Sequence, residues 1–340
     1  MARNPARLAL FIGKRLVQLV PVLLGVIALT FFFSHISIRD PCAAWLGGHA
    51  KPSAVAACDQ YFGLNHPLYV QFGDYLAQLF SGNWGTSSSG GQVLPLVQAA
   101  FPATLELVLA SLFLMIVVGI PLGVIAANSN GRLADHLVRI FYLSGWATPT
   151  YLGALALAIV VGPVLGLPTS GQFTGGTPNI HEWTHMSVLD ALLSGNLGLV
   201  GDALAHLVLP ATALALLNMG IATRMTRASM LEVLPLDYVK TARMKGLAEF
   251  LVLYKHALRN SLITTTTVLG VTAGALLSGT VVIESIFQWH GIGQLAYDSV
   301  TNYNFSLAIG TVIVFAIGVV VANLAADILY GLLDPRVEWR

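Results

Sequence analysis

Charged side chains are scarce in this sequence. Asp, Glu, Lys and Arg make up 10% of its 340 residues, whereas soluble domains carry about 25%. Hydrophobic residues make up 56%. A water-soluble protein of this size could not cover its surface with so few charges, so the composition predicts an integral membrane protein. The net charge of +1 gives nucleic-acid binding no electrostatic support.

A phosphate-binding loop is also missing. The pattern G-x-x-x-x-G-K-[ST] does not occur, and the one Gly-Lys pair, Gly13-Lys14, is followed by Arg15. This excludes ATP hydrolysis by that common mechanism. We therefore do not expect the chain to be its own ATPase by that mechanism.

Cysteine is nearly absent as well. The two cysteines, Cys42 and Cys58, both lie in the first long polar segment. Disulfides persist in oxidising compartments. If the segment faces the exterior, we predict a bridge between the two; a pair of free thiols is the alternative.

Apolar runs, in contrast, are abundant. A helix needs about 20 apolar residues to cross the bilayer core. Six runs approach or exceed this length and are interpreted as spans. They cover residues 16–33, 103–127, 140–167, about 207–222, about 262–283 and about 307–333.

Lys and Arg concentrate in alternate segments between these runs. The N-terminus, the segments after the second and fourth runs and the C-terminus hold all but two of the 17 basic residues. The exceptions, Arg39 and Lys51, follow the first run. Because basic loops stay in the cytoplasm, the pattern predicts a multi-pass protein of the cell membrane, with both termini cytoplasmic and residues 35–100 outside.

Two short patterns look catalytic but are better explained as loops. His181-Glu182-Trp183-Thr184-His185 matches the H-E-x-x-H zinc pattern, which needs a helix that puts both histidines on one face. Glycine and proline precede it and no third ligand is evident, so a polar loop is favoured over a membrane metalloprotease. Gly291-Ile292-Gly293 resembles part of a dinucleotide fingerprint but lacks a surrounding βαβ unit, so we expect a tight turn.

Three acids lie near the ends of the runs, namely Glu106, Glu284 and Asp327. Ionisable residues at the bilayer midplane would suggest a proton relay. Near the ends, pairing with polar neighbours is the simpler expectation. This counts against an ion-coupled secondary transporter, which is the alternative from a different class.

The segment between the fourth and fifth runs contains a short polar helix. Pro235 and Asp237 predict its start, with Asp237 capping free N–H groups, and Gly246 predicts its end. The helix has an incomplete apolar face, formed by Leu236, Val239, Ala242 and Met244. Such a helix fits either a groove on a soluble partner or the lipid head groups, and the residues alone leave both readings open.

This loop resembles the EAA loop of binding-protein-dependent ABC importer permeases. In that pattern Glu-Ala-Ala is followed by a glycine and a hydrophobic-Pro ending; here Lys240-Thr241-Ala242, Gly246 and Leu258-Arg259 stand at those places. The departures are those of the dipeptide/oligopeptide/nickel subgroup. The loop resembles that subgroup in Asp237-Tyr238, Thr241-Ala242-Arg243, Lys245-Gly246-Leu247 and His256-Ala257-Leu258-Arg259-Asn260.

The resemblance extends over nearly the whole chain. The long polar segment after the first run is similar to that of the first of the two paired permeases. Further matching stretches are Tyr61-Phe62-Gly63-Leu64, Gly82-Asn83-Trp84-Gly85-Thr86-Ser87, Pro102-Ala103-Thr104-Leu105-Glu106-Leu107, Leu167-Pro168-Thr169-Ser170-Gly171, Leu209-Pro210-Ala211 and Asp334-Pro335-Arg336.

The resemblance implies an all-α membrane protein with six transmembrane helices in the type I ABC importer permease fold. It implies import of di- or oligopeptides, with an oligosaccharide permease of the same family as the alternative. The expected organisation is a cytoplasmic N-terminus with the first span, an extracellular segment, and a core permease domain that contains a cytoplasmic coupling loop. The corresponding residues are 1–34, 35–100, 101–340 and, for the loop, 224–260.

The implied partners are a paralogous second permease, two cytoplasmic ATPases, an extracellular substrate-binding protein and the lipid bilayer. ATP and Mg would be held by the ATPases, so the resemblance implies that this chain is a transport subunit and not an enzyme, with no catalytic residue, cofactor or metal of its own. The residues expected to couple this chain to them are Leu236, Asp237, Tyr238, Thr241, Ala242, Arg243, Lys245 and Gly246.

The predicted topology is testable by cysteine labelling of intact cells. A cysteine introduced at position 75 should react with a membrane-impermeant maleimide, and one at position 240 should not, because the basic segments remain inside. Reaction at position 240 from outside would show that the orientation is wrong.

Overall fold

The computed structural model describes residues 5–37, 42, 50–61, 63–87 and 90–333. Within these ranges the chain is helical apart from turns and one antiparallel bridge between Thr86 and Gln92. In lipid, backbone N–H and C=O groups find no water, and a helix satisfies them within its own segment. The predicted all-α class is confirmed.

The helices of the described part are numbered in chain order. They are α1 Pro5–Ser37, α2 Pro52–Tyr61, α3 Leu68–Phe80, α4 Val93–Asn128, α5 Leu133–Ala147, α6 Thr150–Leu165, α7 Ser187–Leu193, α8 Leu197–Val233, α9 Asp237–Met244, α10 Glu249–Phe287, α11 Ile292–Thr301 and α12 Phe305–Leu333.

Four described helices are long and apolar enough to cross a membrane, and they match predicted spans. They are α4, α8, α10 and, in α12, the segment Ser306–Ala326. The first three have 36, 37 and 39 residues, or roughly 54–58 Å at 1.5 Å per residue. This exceeds the ~30 Å hydrocarbon core, so their ends project beyond it. The first predicted span falls in α1, whose described apolar stretch is Val20–Phe32.

The third predicted span, 140–167, is not one continuous helix. It is divided between α5 and α6, which meet at an angle of 109°. Thr148, at the junction, has an extended backbone with φ −78° and ψ 125°. Pro149 follows it, and a proline disfavours the helical conformation for the residue before it. Within the described residues, length and composition therefore support four spans, or five if the bent pair is counted as one, where six were predicted.

Helix α8 lies at the centre of the bundle. It packs against α4, α5 and α10. A Cβ on Gly123 of α4 would stand 2.6 Å from the Cβ of Thr226, and one on Gly145 of α5 would stand 2.8 Å from the carbonyl oxygen of Leu216. The absence of a side chain at these two glycines lets α4 and α5 approach α8 closely.

A charged contact joins α5 to α8. The side chain of Asp135 is buried, with 1% exposed. It accepts hydrogen bonds from Arg227 Nε at 2.8 Å and Nη2 at 2.9 Å, and from the Gly131 backbone N–H at 3.0 Å. Bidentate pairing with Arg227 stabilises the Asp135 carboxylate, which would be costly to bury alone. The contact therefore fixes the start of α5 against α8.

Two of the three acids near the span ends, Glu106 and Glu284, are hydrogen-bonded, as predicted. Glu106 accepts bonds from the backbone N–H and hydroxyl of Ser187 at 2.9 and 2.8 Å and from the Val188 N–H at 2.8 Å. It thereby satisfies free N–H groups at the start of α7. The side chain of Asp327 lies outside the described residues.

Glu284 organises the turn that follows α10. Its carboxylate accepts bonds from Thr104 Oγ1 at 2.7 Å and from the Gln294 N–H at 3.0 Å. A Cβ on Gly291 would collide with the Glu284 carboxylate and the Thr104 hydroxyl. The glycine motif was predicted to be a tight turn; it is instead the start of α11, with Gly291 as the N-cap residue and Ile292 and Gly293 in the first turn, packed on a buried acid.

The segment between α1 and α4 contains the two short helices α2 and α3. Phe72 and Tyr75 of α3 pack on Phe31 of α1, with ring centroids 5.3 and 5.7 Å apart. Burial raises the pKa of Tyr75. Its neighbour Asp74 is exposed and is therefore the better labelling site in the topology experiment. The predicted disulfide between Cys42 and Cys58 is present, with the two Cα atoms 5.9 Å apart.

Reducing this disulfide should destabilise the α2–α3 segment. The bridge closes a sequence separation of 16 residues, for which the loss of unfolded-state entropy stabilises by about 3 kcal/mol. We expect the double variant Cys42→Ser/Cys58→Ser to lose protease resistance in this segment while the rest of the chain is unchanged. Mass spectrometry of the unreduced wild type should find no alkylated thiol, and two readily alkylated cysteines would contradict the bridge.

Candidate functional site

The candidate site is α9 with the turns on either side of it. The helix Asp237–Met244 connects α8 to α10, which agrees within one residue with the predicted helix. It has 8 residues, about 12 Å at 1.5 Å per residue. Such a helix is too short to be stable alone, so its position depends on contacts with its neighbours.

The start of α9 differs from the prediction. Leu236 is the N-cap residue, with φ −70° and ψ 147°, and no side chain caps the helix. Asp237 is instead the first helical residue, and its carboxylate accepts a bond from Lys240 Nζ at 3.0 Å. A negative charge at this place still favours the helix through its dipole.

The end of α9 is the glycine turn that the sequence predicted. Gly246 has φ +72°, a left-handed conformation that glycine adopts without a steric penalty. Its N–H bonds the Arg243 carbonyl at 2.9 Å. A Cβ added at Gly246 would have no heavy atom within 4 Å. Glycine is therefore preferred here because of the backbone conformation and not for lack of space.

One face of α9 is packed on the chain's own core. Val239 is fully buried and Ala242 is 5% exposed. Both belong to the core cluster that includes Val252, Leu253 and Ala257 at the start of α10. A direct contact of Ala242 with a partner, as the sequence suggested, is therefore not supported; the residue holds α9 in place.

Two polar contacts fasten the ends of α9 to α10. The Asn260 side-chain amide donates to Tyr238 Oη at 2.7 Å. Arg243 pairs with Glu249, with Nη2 2.7 Å and Nε 3.2 Å from the carboxylate oxygens. The hydrogen bond to Glu249 raises the pKa of Arg243, which therefore stays charged. Tyr238 and Arg243 thus act as internal anchors.

Exposed apolar side chains occur on α9 and on the residues that flank it, and we call this set the outer surface. Met244 is 79% exposed and Phe250 is 67% exposed. Apolar side chains left exposed in this way are typical of protein contacts when they form a patch. The members of the outer surface are Leu236, Tyr238, Met244, Leu247, Phe250 and Leu251, and Lys240, Thr241 and Lys245 are exposed beside them.

Sequence reasoning placed Met244 on the same face as Val239 and Ala242, and this was wrong. At about 100° per residue, Val239 and Ala242 lie some 60° apart, whereas Met244 lies about 140° from Val239. A helical projection of the sequence would have placed Met244 on a different face from Val239 and Ala242. Phe250 and Leu251 were missed because they follow the glycine turn, and only the packing of α10 brings them beside α9.

The H-E-x-x-H segment does not have the geometry of a zinc site. Residues 181–186 are not helical, so His181 and His185 do not share a helix face. His185 Nδ1 instead lies 3.1 Å from Glu182 Oε2. Among the described residues, no group of three or more His, Cys, Asp or Glu side chains is placed to hold a metal.

The fold and the loop between α8 and α10 define a transport permease. The family described as "Binding-protein-dependent transport system inner membrane component" matches residues 119–339, and the corresponding N-terminal family matches residues 8–110. The chain belongs to this family of inner-membrane components of binding-protein-dependent transport systems.

Its relatives include peptide permeases. It is 40% identical over 321 residues to the probable D,D-dipeptide transport system permease protein DdpB of Escherichia coli, covering 94% of each chain. It is 39% identical to the di/tripeptide transport system permease protein DppB of Pseudomonas aeruginosa and 35% identical to the dipeptide permease DppB of Alkalihalophilus pseudofirmus, covering in each case 96% of this chain and 98% of the relative.

A solved structure shares the fold. An inward-facing conformation of the MetNI methionine ABC transporter matches 71% of this chain and 97% of its own chain, with a TM-score of 0.54 and 16% identity. The permease fold predicted from the resemblance is thereby confirmed, whereas four or five of the six predicted spans are long and apolar enough among the described residues.

The turn at Gly246 makes a specific prediction. Gly246→Val should destabilise the end of α9, because a left-handed conformation costs a side-chain-bearing residue about 1–2 kcal/mol. Asn tolerates this conformation better, so Gly246→Asn is the matched control. Trypsin cleavage after Lys245 follows the population of the opened turn, and we expect about tenfold faster cleavage in the Val variant. Equal rates in all three proteins would contradict the proposed strain.

Proposed function

We propose that the chain is one of two paired permeases of an ABC importer for di- or oligopeptides. Two cytoplasmic ATPases bind the permease pair, one of them at the outer surface of α9, and an extracellular binding protein delivers the peptide. The observation that carries the proposal is the two-sided construction of α9, with one face fastened to α10 and the other exposed and apolar. The names of the relatives, which are dipeptide and di/tripeptide permeases, support a peptide as the substrate.

The anchors of α9 make it suited to transmit movement. Val239 and Ala242 pack on the start of α10, and Tyr238 and Arg243 are fastened to Asn260 and Glu249. A displacement of α9 by an ATPase would therefore displace the start of α10 with it. Closure of the ATPase pair would favour one arrangement of the helices over another, and coupling requires such a difference in contacts between two states.

The charge distribution supports an orientation with α9 inside the cell. No Lys or Arg occurs in residues 52–131, 140–223 or 260–335. The loop that contains α9 lies between the last two of these stretches and is rich in basic residues. By the positive-inside rule, the docking surface and both termini face the cytoplasm and the ATPases that hydrolyse ATP.

A pair of substitutions separates docking from folding. Met244→Glu should abolish co-purification of the ATPases and peptide-stimulated ATP hydrolysis, because it puts a charge in the exposed apolar contact while α9 stays folded. Ala242→Glu should abolish both as well, but by burying a carboxylate and opening α9 to trypsin at Lys245. Met244→Leu, which preserves the apolar contact, is the control. Normal stimulated hydrolysis in the Met244→Glu complex would show that the outer surface is not the docking site.

The substrate class is tested with the complete importer in proteoliposomes. Uptake of labelled L-alanyl-L-alanine should require ATP and the cognate binding protein, and maltotriose should not be taken up. Uptake of the trisaccharide without the dipeptide would instead assign an oligosaccharide importer.

A further inference from the structure

An open cavity of about 280 Å³ lies at the end of the helices opposite to α9. Helix α10 begins next to α9 and ends at Phe287, close to the cavity residues His290 and Gln294. The other walls come from the first turns of α4 and from the segment that precedes and includes α7. In the proposed orientation this is the extracellular side, where a binding protein would release its substrate.

The walls of the cavity carry carboxylates but no Lys or Arg. Glu182, Asp190 and Asp298 line it, together with His185 and His290. Glu182 has an internal partner, because its Oε2 lies 3.1 Å from His185 Nδ1. The stretches of chain that form the walls contain no Lys or Arg, so no such side chain balances Asp190 and Asp298 there.

Asp190 gives the strongest indication of a ligand. The residue is 2% exposed. Both hydrogen bonds that its side chain accepts, from the Thr184 N–H at 2.9 Å and the Thr184 hydroxyl at 2.8 Å, end on Oδ1. No bond to its Oδ2 is found among the described residues, and this oxygen does not count among their buried atoms without a partner. It is therefore open to the cavity that Asp190 lines, where it can accept a bond from a donor outside the chain.

Two neighbouring features point the same way. Gln294 Oε1, another acceptor on the cavity wall, is buried without a donor in the described part of the chain. His185, also on the wall, has φ +57°, and such strain outside glycine tends to occur at ligand sites. The unsatisfied groups on the wall are thus acceptors, and the ligand that fits them is a donor.

We propose that this cavity binds the primary ammonium of the incoming substrate, such as the free amino terminus of a peptide. An ammonium has three donors and no acceptor, which matches the three acceptors Asp190 Oδ2, Gln294 Oε1 and the Asp298 carboxylate, with the Glu182 carboxylate adding negative charge nearby. A metal ion fits less well, because no group of three ligands converges among the described residues. The inference rests on the proposed import of peptides and deepens it.

The size of the cavity limits what enters it. Pockets that enclose a whole small ligand measure about 300–1,000 Å³, so about 280 Å³ accommodates one end of a peptide. The structure therefore assigns the cavity to capture of the amino-terminal residue, with the rest of the peptide outside it.

The test uses the complete importer in proteoliposomes, with labelled L-alanyl-L-alanine and saturating binding protein. Glu182→Gln combined with Asp298→Asn removes two carboxylates without changing their size. We expect uptake to fall at least tenfold, while subunit co-purification and ATP hydrolysis in the absence of peptide stay at the wild-type level. Asp74→Asn is the matched control, because Asp74 is an exposed acid on α3 that does not line the cavity, and its uptake should stay within twofold of wild type.

A second variant introduces into the cavity a positive charge like that of the proposed ammonium ligand. Gln294→Lys puts an ammonium on the cavity wall, where it should pair with the carboxylates and lower dipeptide uptake about tenfold. Wild-type uptake in both the double variant and Gln294→Lys would overturn the cavity proposal and leave peptide import intact. An equal loss of uptake in Asp74→Asn would also overturn it, because removal of any acidic side chain, rather than of the cavity carboxylates, would then lower uptake. Absence of dipeptide uptake by the wild-type importer would instead overturn the proposed function itself.

Discussion

The anchoring of α9 to α10 is the interaction on which the proposed coupling depends. An eight-residue helix has no stability of its own, and its exposed side is apolar. Val239 and Ala242, buried against the first turns of α10, hold it in one orientation. The same contacts that keep the helix folded therefore connect the docking surface mechanically to a helix of 39 residues.

Three buried carboxylates connect the long helices to the segments between them. Asp135 pairs with Arg227 where α5 begins, Glu106 holds the start of α7, and Glu284 holds the turn after α10. In lipid, apolar side chains provide little preference for one helix arrangement over another. Bonds of this kind, in which each acid has several partners, set the positions of the connecting segments on which both candidate sites are built.

The two candidate sites lie at opposite ends of α10. One is an apolar surface flanked by lysines, and the other is a cavity lined by carboxylates. A single helix thus extends from the proposed ATPase contact to the proposed peptide contact. An importer that exposes its pathway alternately to the two sides of the membrane needs a connection of this kind.

The sequence by itself determined the helical class, most span positions, the short helix and its glycine stop, and the disulfide, because hydropathy, charge alternation, turn chemistry and cysteine position are local properties. The family also followed from local motifs, such as the stretch around Gly246. Tertiary structure decided the sharp bend at Thr148, the inward direction of Ala242 and the outward direction of Met244. It also brought Phe250 beside α9, and placed Asp190 and Gln294 on one cavity wall. These features depend on which segments pack together, and residues more than 100 positions apart in the chain acquire a common environment only when the bundle forms.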